Sequence, residues 1–214
     1  MPLKIITTVV TPAESYDLTT LEVVKQELDV TDGARDELLK RYIGSASGAA
    51  AQYCNRKFQQ ETIRDEVWPE QDPHPWVLNG SFDVLQLSRW PVVSVSSVTE
   101  NGTALVEGTD FRVDAAAGRL LRLDAAGNAA RWNAWPKVVE YVTGFAEIPG
   151  EVEDAVIRLV SSRWAAKGRD RLLRQEDIPG VISRTWWVAT SGESGNMPPD
   201  VTDLLDNYRV SVIA

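Results

Sequence analysis

The sequence predicts an α+β protein: a mainly helical core, an antiparallel β element inserted into it, and an extended C-terminal tail. Three observations carry this. Apolar residues recur at helical spacing over 19–54 and again over 151–168. Between them, residues 61–145 alternate and are rich in Val and Leu, with turn signals at short intervals. After Glu176 neither period persists. The 214 residues, 43% of them hydrophobic and 25% charged, suffice for a sizeable core.

Residues 1–17, "MPLKIITTVVTPAESYD", read as an arm with one Lys and a short apolar patch; no cleavage site follows a long apolar run, so no signal peptide is expected. In "DLTTLEVVKQEL", Thr19 and Glu22 have capping-box spacing, and Leu21, Val24 and Leu28 follow at helical intervals. This predicts a helix over 19–29. A second helix is predicted over 33–54, capped by Thr31 or Asp32. Its stripe is Leu38, Tyr42, Ala46, Ala49 and Tyr53, widened by Leu39, Ile43 and Ala50. Every residue from Gly44 to Ala51 is small. That predicts a close helix or strand neighbour, with Ala46 and Gly48 both intolerant of bulk.

Asn101-Gly102 lies between two alternating runs, a strong hairpin signal, and "DAAAG" ending at Gly118 marks another turn. With "WPKVVEYVTGF", four or five antiparallel strands are expected. The third helix, 151–168, has Val152, Ala155, Val156, Leu159 and Val160 on one face. Its acids (Glu151, Glu153, Asp154) lie near the start, and Arg163 and Lys167 near the end. The expected division is an arm over 1–17, a domain over 18–175 and a tail over 176–214.

Net charge is −9, so the molecule as a whole repels nucleic acid and anionic membranes at long range. No 18-residue apolar run predicts a bilayer span, and no membrane partner is expected. A single cysteine excludes an intrachain disulfide and suits a reducing, cytosolic origin.

Candidate chemistry is sparse. Cys54 and His74 are the only residues of their types; Cys54 ends a packed helix and reads as a buried structural thiol. Glu70, Asp72 and His74 alternate in a proline-rich loop, but nothing fixes a metal geometry. "NGT" at 101–103 is a hairpin turn, and "GSASG" lacks the Lys-Ser/Thr of a phosphate loop. No nucleophile elbow is present. The reading is therefore a non-enzyme with no cofactor and no metal. Trp68, Trp76, Trp90, Trp132 and Trp135 leave an alternative open: a surface- or glycan-binding module on tryptophan-rich strands.

Binding is the better prospect. Arg158, Arg163, Lys167, Arg169, Arg171 and Arg174 are opposed by Asp170 alone, a solvated face or a docking patch. Trp186 and Trp187 sit beside Gly192 and Gly195 in a tail with too many apolar residues for a disordered end. The expectation is that this tail leaves its own core and packs on a neighbour or on another component of an assembly, the alternative being that it folds back onto its own helices. Arg169, Arg171, Arg174, Trp186, Trp187, Leu204, Leu205 and Tyr208 form the candidate partner-binding set.

The order of segments resembles the head–tail connector (adaptor, head-completion) proteins of tailed double-stranded-DNA bacteriophages. The resemblance rests on "LTTLEVVKQELDVTDGARDELLKRYIGSASGAAAQYCNRKF", "LQLSRWPVVSVSSVTENG", "FRVDAAAGRLLRLD", "VVEYVTGF", "IPGEVEDAVIRLVSSRW" and the closing "PPDVTDLLDNYR". It covers roughly residues 18–209. It implies a structural virion protein at the head–tail junction, assembled in the bacterial cytoplasm. It further implies a closed ring of about a dozen copies. The ring would sit between a portal protein and a tail-completion or stopper protein, with genome DNA passing through without sequence-specific binding. The longer β region and tail depart from shorter family members.

Overall fold

The computed structural model describes residues 3–69, 84–167, 175–178, 182–185 and 197–210. These fall into two compact units, Met1–Ser15 with Gln59–Glu147, and Tyr16–Phe58 with Ile148–Ala214. The α+β class holds, but the chain is strand-rich rather than mainly helical.

Every described element of the first unit is a strand. Five strands, β1 (Leu3–Thr11), β2 (Glu61–Pro69), β4 (Val92–Glu100), β5 (Thr103–Leu105) and β8 (Lys137–Thr143), form an antiparallel sheet in the order β1-β2-β8-β4-β5. A second sheet, β3-β7-β6, joins β3 (Val84–Gln86), β6 (Phe111–Asp114) and β7 (Arg119–Arg122). The alternation is plain in β8, where Lys137, Val139, Tyr141 and Thr143 are buried and their neighbours half-buried. That face meets Ile63, Val67, Leu85, Leu120, Phe111 and Trp132 in one apolar core.

The predicted Asn101-Gly102 turn is present. Both residues have positive φ, 49° and 78°, as a two-residue hairpin loop requires. Gly144 ends β8 at φ 115°, donates its N–H to Pro91 O at 3.0 Å, and has the Gln59 backbone against the place a Cβ would fill. Only glycine fits there.

Residues 1–17 correct the expectation of an arm, since Leu3–Thr11 is the edge strand β1, paired with β2 along its length. "LKIITTVVT" lacks alternation because an edge strand exposed on several sides gives burial little to select.

The second unit is built on helices α1 (Leu21–Glu27), α2 (Asp36–Tyr53), α3 (Gly150–Ala165) and α4 (Pro199–Leu205), with a 3-10 turn at Asp206–Tyr208. It also contains a hairpin of β9 (Gln175–Ile178) and β10 (Ile182–Thr185). The cap of α1 is Thr20, whose hydroxyl accepts from Val23 N–H. Thr19 is committed elsewhere, donating to Glu153 Oε1 at 3.0 Å. Helix α2 starts three residues later than expected. Asp32 spends its carboxylate on Ala34 N–H at 3.1 Å, closing a local turn ahead of the helix.

The buried face of α2 is Leu39, Ile43, Ala46, Ser47 and Ala50. Leu38, Tyr42, Ala49 and Tyr53, placed on the stripe by sequence, flank it half-buried. Helix α3 meets this unit's core with Val152, Ala155, Val156, Leu159 and Val160, as its period predicts. Ser47 Oγ accepts the Leu18 N–H at 2.9 Å. The small residues do not all serve packing. Ala46 is fully buried, whereas a Cβ at Gly48 would meet nothing within 4 Å. Ala46→Leu is therefore expected to lower unfolding stability by about 1–3 kcal/mol through overpacking. Gly48→Ala should raise it by about 0.5–1 kcal/mol through helix propensity. Urea titrations of the two variants should move in opposite directions.

Candidate functional site

Three of the expected partner-binding residues, Leu204, Leu205 and Tyr208, fall on the last described segment. It is not an extended tail. Met197, Val201 and Leu205 are buried within the helical unit, Leu205 completely, and α4 packs on α3. Tyr208 Oη donates to Glu151 Oε2 at 2.8 Å, and its ring meets Phe58 edge-on at 6.1 Å between centroids. Tyr53 Oη donates to Asp206 Oδ1 at 2.6 Å, and Val210 N–H to Cys54 O at 2.9 Å. Arg158 bridges Asp154 on its own helix and Asp200 on α4. The expectation that this tail leaves its core is corrected for residues 197–210. Leu205 is a core residue, Leu204 is half-buried and Tyr208 is held by its own chain. Trp186, Trp187, Arg169, Arg171 and Arg174 lie outside the described residues.

The same segment disposes of Cys54. Its Sγ sits 3.6 Å from Leu205 O, and burial pushes the thiol up to about 11. A protonated, dry thiol is neither nucleophile nor ligand at neutral pH. Glu70, Asp72 and His74 lie outside the described residues, among which no cluster of His, Cys, Asp and Glu could hold a metal ion.

The described part of the basic run is engaged within its own unit. Arg163 donates to Tyr42 O at 3.4 Å. Lys167 and Arg35 each sit over the Trp164 ring, 5.5 and 5.6 Å from its centroid. Asp29, Val30, Thr31 and Asp32 close the other side of an open depression of about 430 Å³. Two cations and two carboxylates around one indole give it no net sign, and it lacks the apolar walls of a small-molecule pocket.

The strand unit holds a buried polar cluster that sequence reading missed. Asp65 is fully buried on β2. Its carboxylate accepts from Thr7 Oγ1 at 2.7 Å, Ser88 N–H at 2.9 Å, Ser88 Oγ at 2.7 Å and Tyr141 Oη at 2.9 Å. Burial first, then the facing Asp65 charge, raises the Tyr141 phenol above its ordinary range, so it stays a donor. Glu61, also buried, pairs with Arg89. These groups are buried, and their hydrogen bonds are spent within the strand unit.

Lys137 is the other buried charge. Its Nζ donates to Ala134 O at 3.0 Å and lies over the Trp135 ring. Burial pulls its pKa down from 10.5 to about 8, against the opposing pull of Glu100. A lowered ammonium pKa is a cost below pH 8, and the cost is relieved as pH rises from about 8 to 10.5. Any stability advantage of Lys137→Met over the wild type should therefore shrink across that window. Paired denaturant titrations at pH 7 and pH 10 would measure it.

Among the described residues the tryptophans do not assemble a sugar-binding face, and Trp76 lies outside them. Trp132 is in the core, Trp90 and Trp135 are half-buried, and among the described strand tryptophans only Trp68 is exposed.

Residues 18–79 match the family model of phage gp6-like head–tail connector proteins. The fold matches a chain in the neck of an empty gene transfer agent (GTA) particle, computed with C6 symmetry, at a TM-score of 0.56. It also matches a chain of the virion of a native GTA particle at 0.55, and one in the neck of a native GTA particle, computed with C12 symmetry, at 0.51. Each alignment covers 98% of this chain and 97% of the other, at 16% identity. No curated protein matches the sequence. The resemblance drawn from the sequence stands, and the matched family is structural, not enzymatic.

Proposed function

We propose that this chain is a structural subunit of the neck of a phage or phage-like particle, assembling as a ring between the portal and the tail. The observation that carries the reading is the coincidence of two matches. A connector-family segment occupies residues 18–79, and a neck-protein fold extends over 98% of the chain. The ring encloses the path of the genome. The net charge of −9 suits a conduit, because acidic walls keep phosphate from adhering over about a Debye length, ~8 Å at physiological salt. The portal protein and a tail-completion or stopper protein are its axial partners, and assembly takes place in the host cytoplasm. Arg169, Arg171, Arg174, Trp186 and Trp187 remain the residues proposed to reach those partners.

Deletion of the gene tests this. The expected result is filled heads without tails, restored by the wild-type gene supplied in trans. Normal tailed particles from the deletion strain would refute the neck assignment.

A further inference from the structure

Among the described residues the five-stranded sheet ends on two open edges. One is the whole outer side of β1, with Ile6 45%, Val9 41% and Val10 48% exposed. The other is less obvious. Strand β5 pairs only with Val98, Thr99 and Glu100 of β4, and Val92 N–H is taken by Ala115 O. Val93–Ser97 therefore has no ladder partner on that side among the described residues, and Val93 is 50% exposed.

Both edges lack charge and proline over most of their length, Lys4 being the one charged residue of β1. Neither Ile5–Thr11 nor Val93–Val98 contains a charged residue or a proline, and both are rich in Val, Thr, Ser and Ile. Edge strands that stay solvated are normally blunted by Lys or Pro, and bare β-branched edges are templates for another strand. One irregularity interrupts β1, between Val9 and Thr11, and two interrupt β4, between Val92 and Ser94 and between Val95 and Ser97; none of them places a charge on the edge.

Their directions are compatible. β1 runs antiparallel to β2, β2 to β8, and β8 to β4, so β1 and β4 are themselves antiparallel. A second copy laid alongside continues the sheet with β1 antiparallel to the β4 edge, the more stable ladder. Two different edges meeting is a head-to-tail contact, the kind that closes into a ring.

We propose, resting on the ring reading above, that neighbouring copies join by sheet continuation: β1 of one copy pairs with Val93–Ser97 of β4 in the next. The occupant is a second copy rather than an unrelated peptide, because each chain carries both halves of the contact. Size points the same way. A five-residue ladder is only about 17 Å long and buries less than the ~800 Å² per partner of a stable pair. An isolated dimer is therefore weak, while a closed ring, in which every copy makes the contact twice, holds.

The test is oxidative cross-linking in assembled particles and in the purified chain. Ile6→Cys or Val10→Cys is combined in one chain with Val93→Cys or Ser96→Cys. At least one pair is expected to give a non-reducing ladder of multimers ending at the closed ring, while single variants stay monomeric. The charge variant Val10→Lys with Val93→Lys should raise the concentration for half-assembly by on the order of tenfold. Disulfide dimers from single β1 variants would show a two-fold contact instead and overturn the proposal. A ring that forms without cross-links in any pair, and that tolerates both lysines, would overturn the edge contact and leave the ring standing. A chain monomeric at every concentration and absent from particles would remove both.

Discussion

Truncation after Gln175 is expected to unfold the helical unit. The deletion removes Met197, Val201 and Leu205, all buried within that unit, with α4 packed on α3. At about 1.5–3 kcal/mol for each of these three apolar side chains, the loss is roughly 4.5–9 kcal/mol. That approaches the whole stability of an ordinary domain, about 5–15 kcal/mol. The tethers Tyr208–Glu151, Tyr53–Asp206 and Val210–Cys54 go with it. Loss of the cooperative helical transition in circular dichroism is the predicted outcome, and Leu205→Ala should cost about 2–5 kcal/mol by itself. A truncated chain with the wild-type midpoint would mean that residues 197–210 are an ornament on a finished core.

Asp65→Ala has the next largest expected effect. It deprives Thr7 Oγ1, Ser88 N–H, Ser88 Oγ and Tyr141 Oη of their common acceptor in a dry interior. Unmade buried bonds cost more than made ones contribute, so a loss of about 3–5 kcal/mol is expected. Tyr141→Phe removes one donor and leaves Asp65 three others; its cost should be about 1–2 kcal/mol. The double variant should lose less than the sum, since both changes strike one network. Additive losses would show that Tyr141 and Asp65 act separately.

The legibility of these features in the sequence follows the range of the interactions that make them. Helices α2 and α3 are local objects, and their periods were plain. The Asn101-Gly102 turn is local too, and its positive φ values follow from two residue types. β1 was missed because its partner lies more than 50 residues away, from Thr62 to Pro69, and an exposed edge has little burial pattern to display. Asp65 was missed for the same reason: its donors come from Thr7, Ser88 and Tyr141. Helix α4 was mistaken for tail because Pro198-Pro199 reads as a breaker. In the fold, Pro198 is the N-cap and Pro199 opens the helix, where a missing N–H costs nothing. Of the expected docking residues, Leu205 was visible as apolar, but its own core and a partner's groove look alike in one dimension.

The central claim, that this chain forms the neck ring, is tested most directly by electron cryo-microscopy of purified particles carrying a small tag on the chain. The predicted result is tag density confined to a single ring between the portal and the tail. Tag density on the capsid shell or along the tail tube, or none in particles, would contradict it.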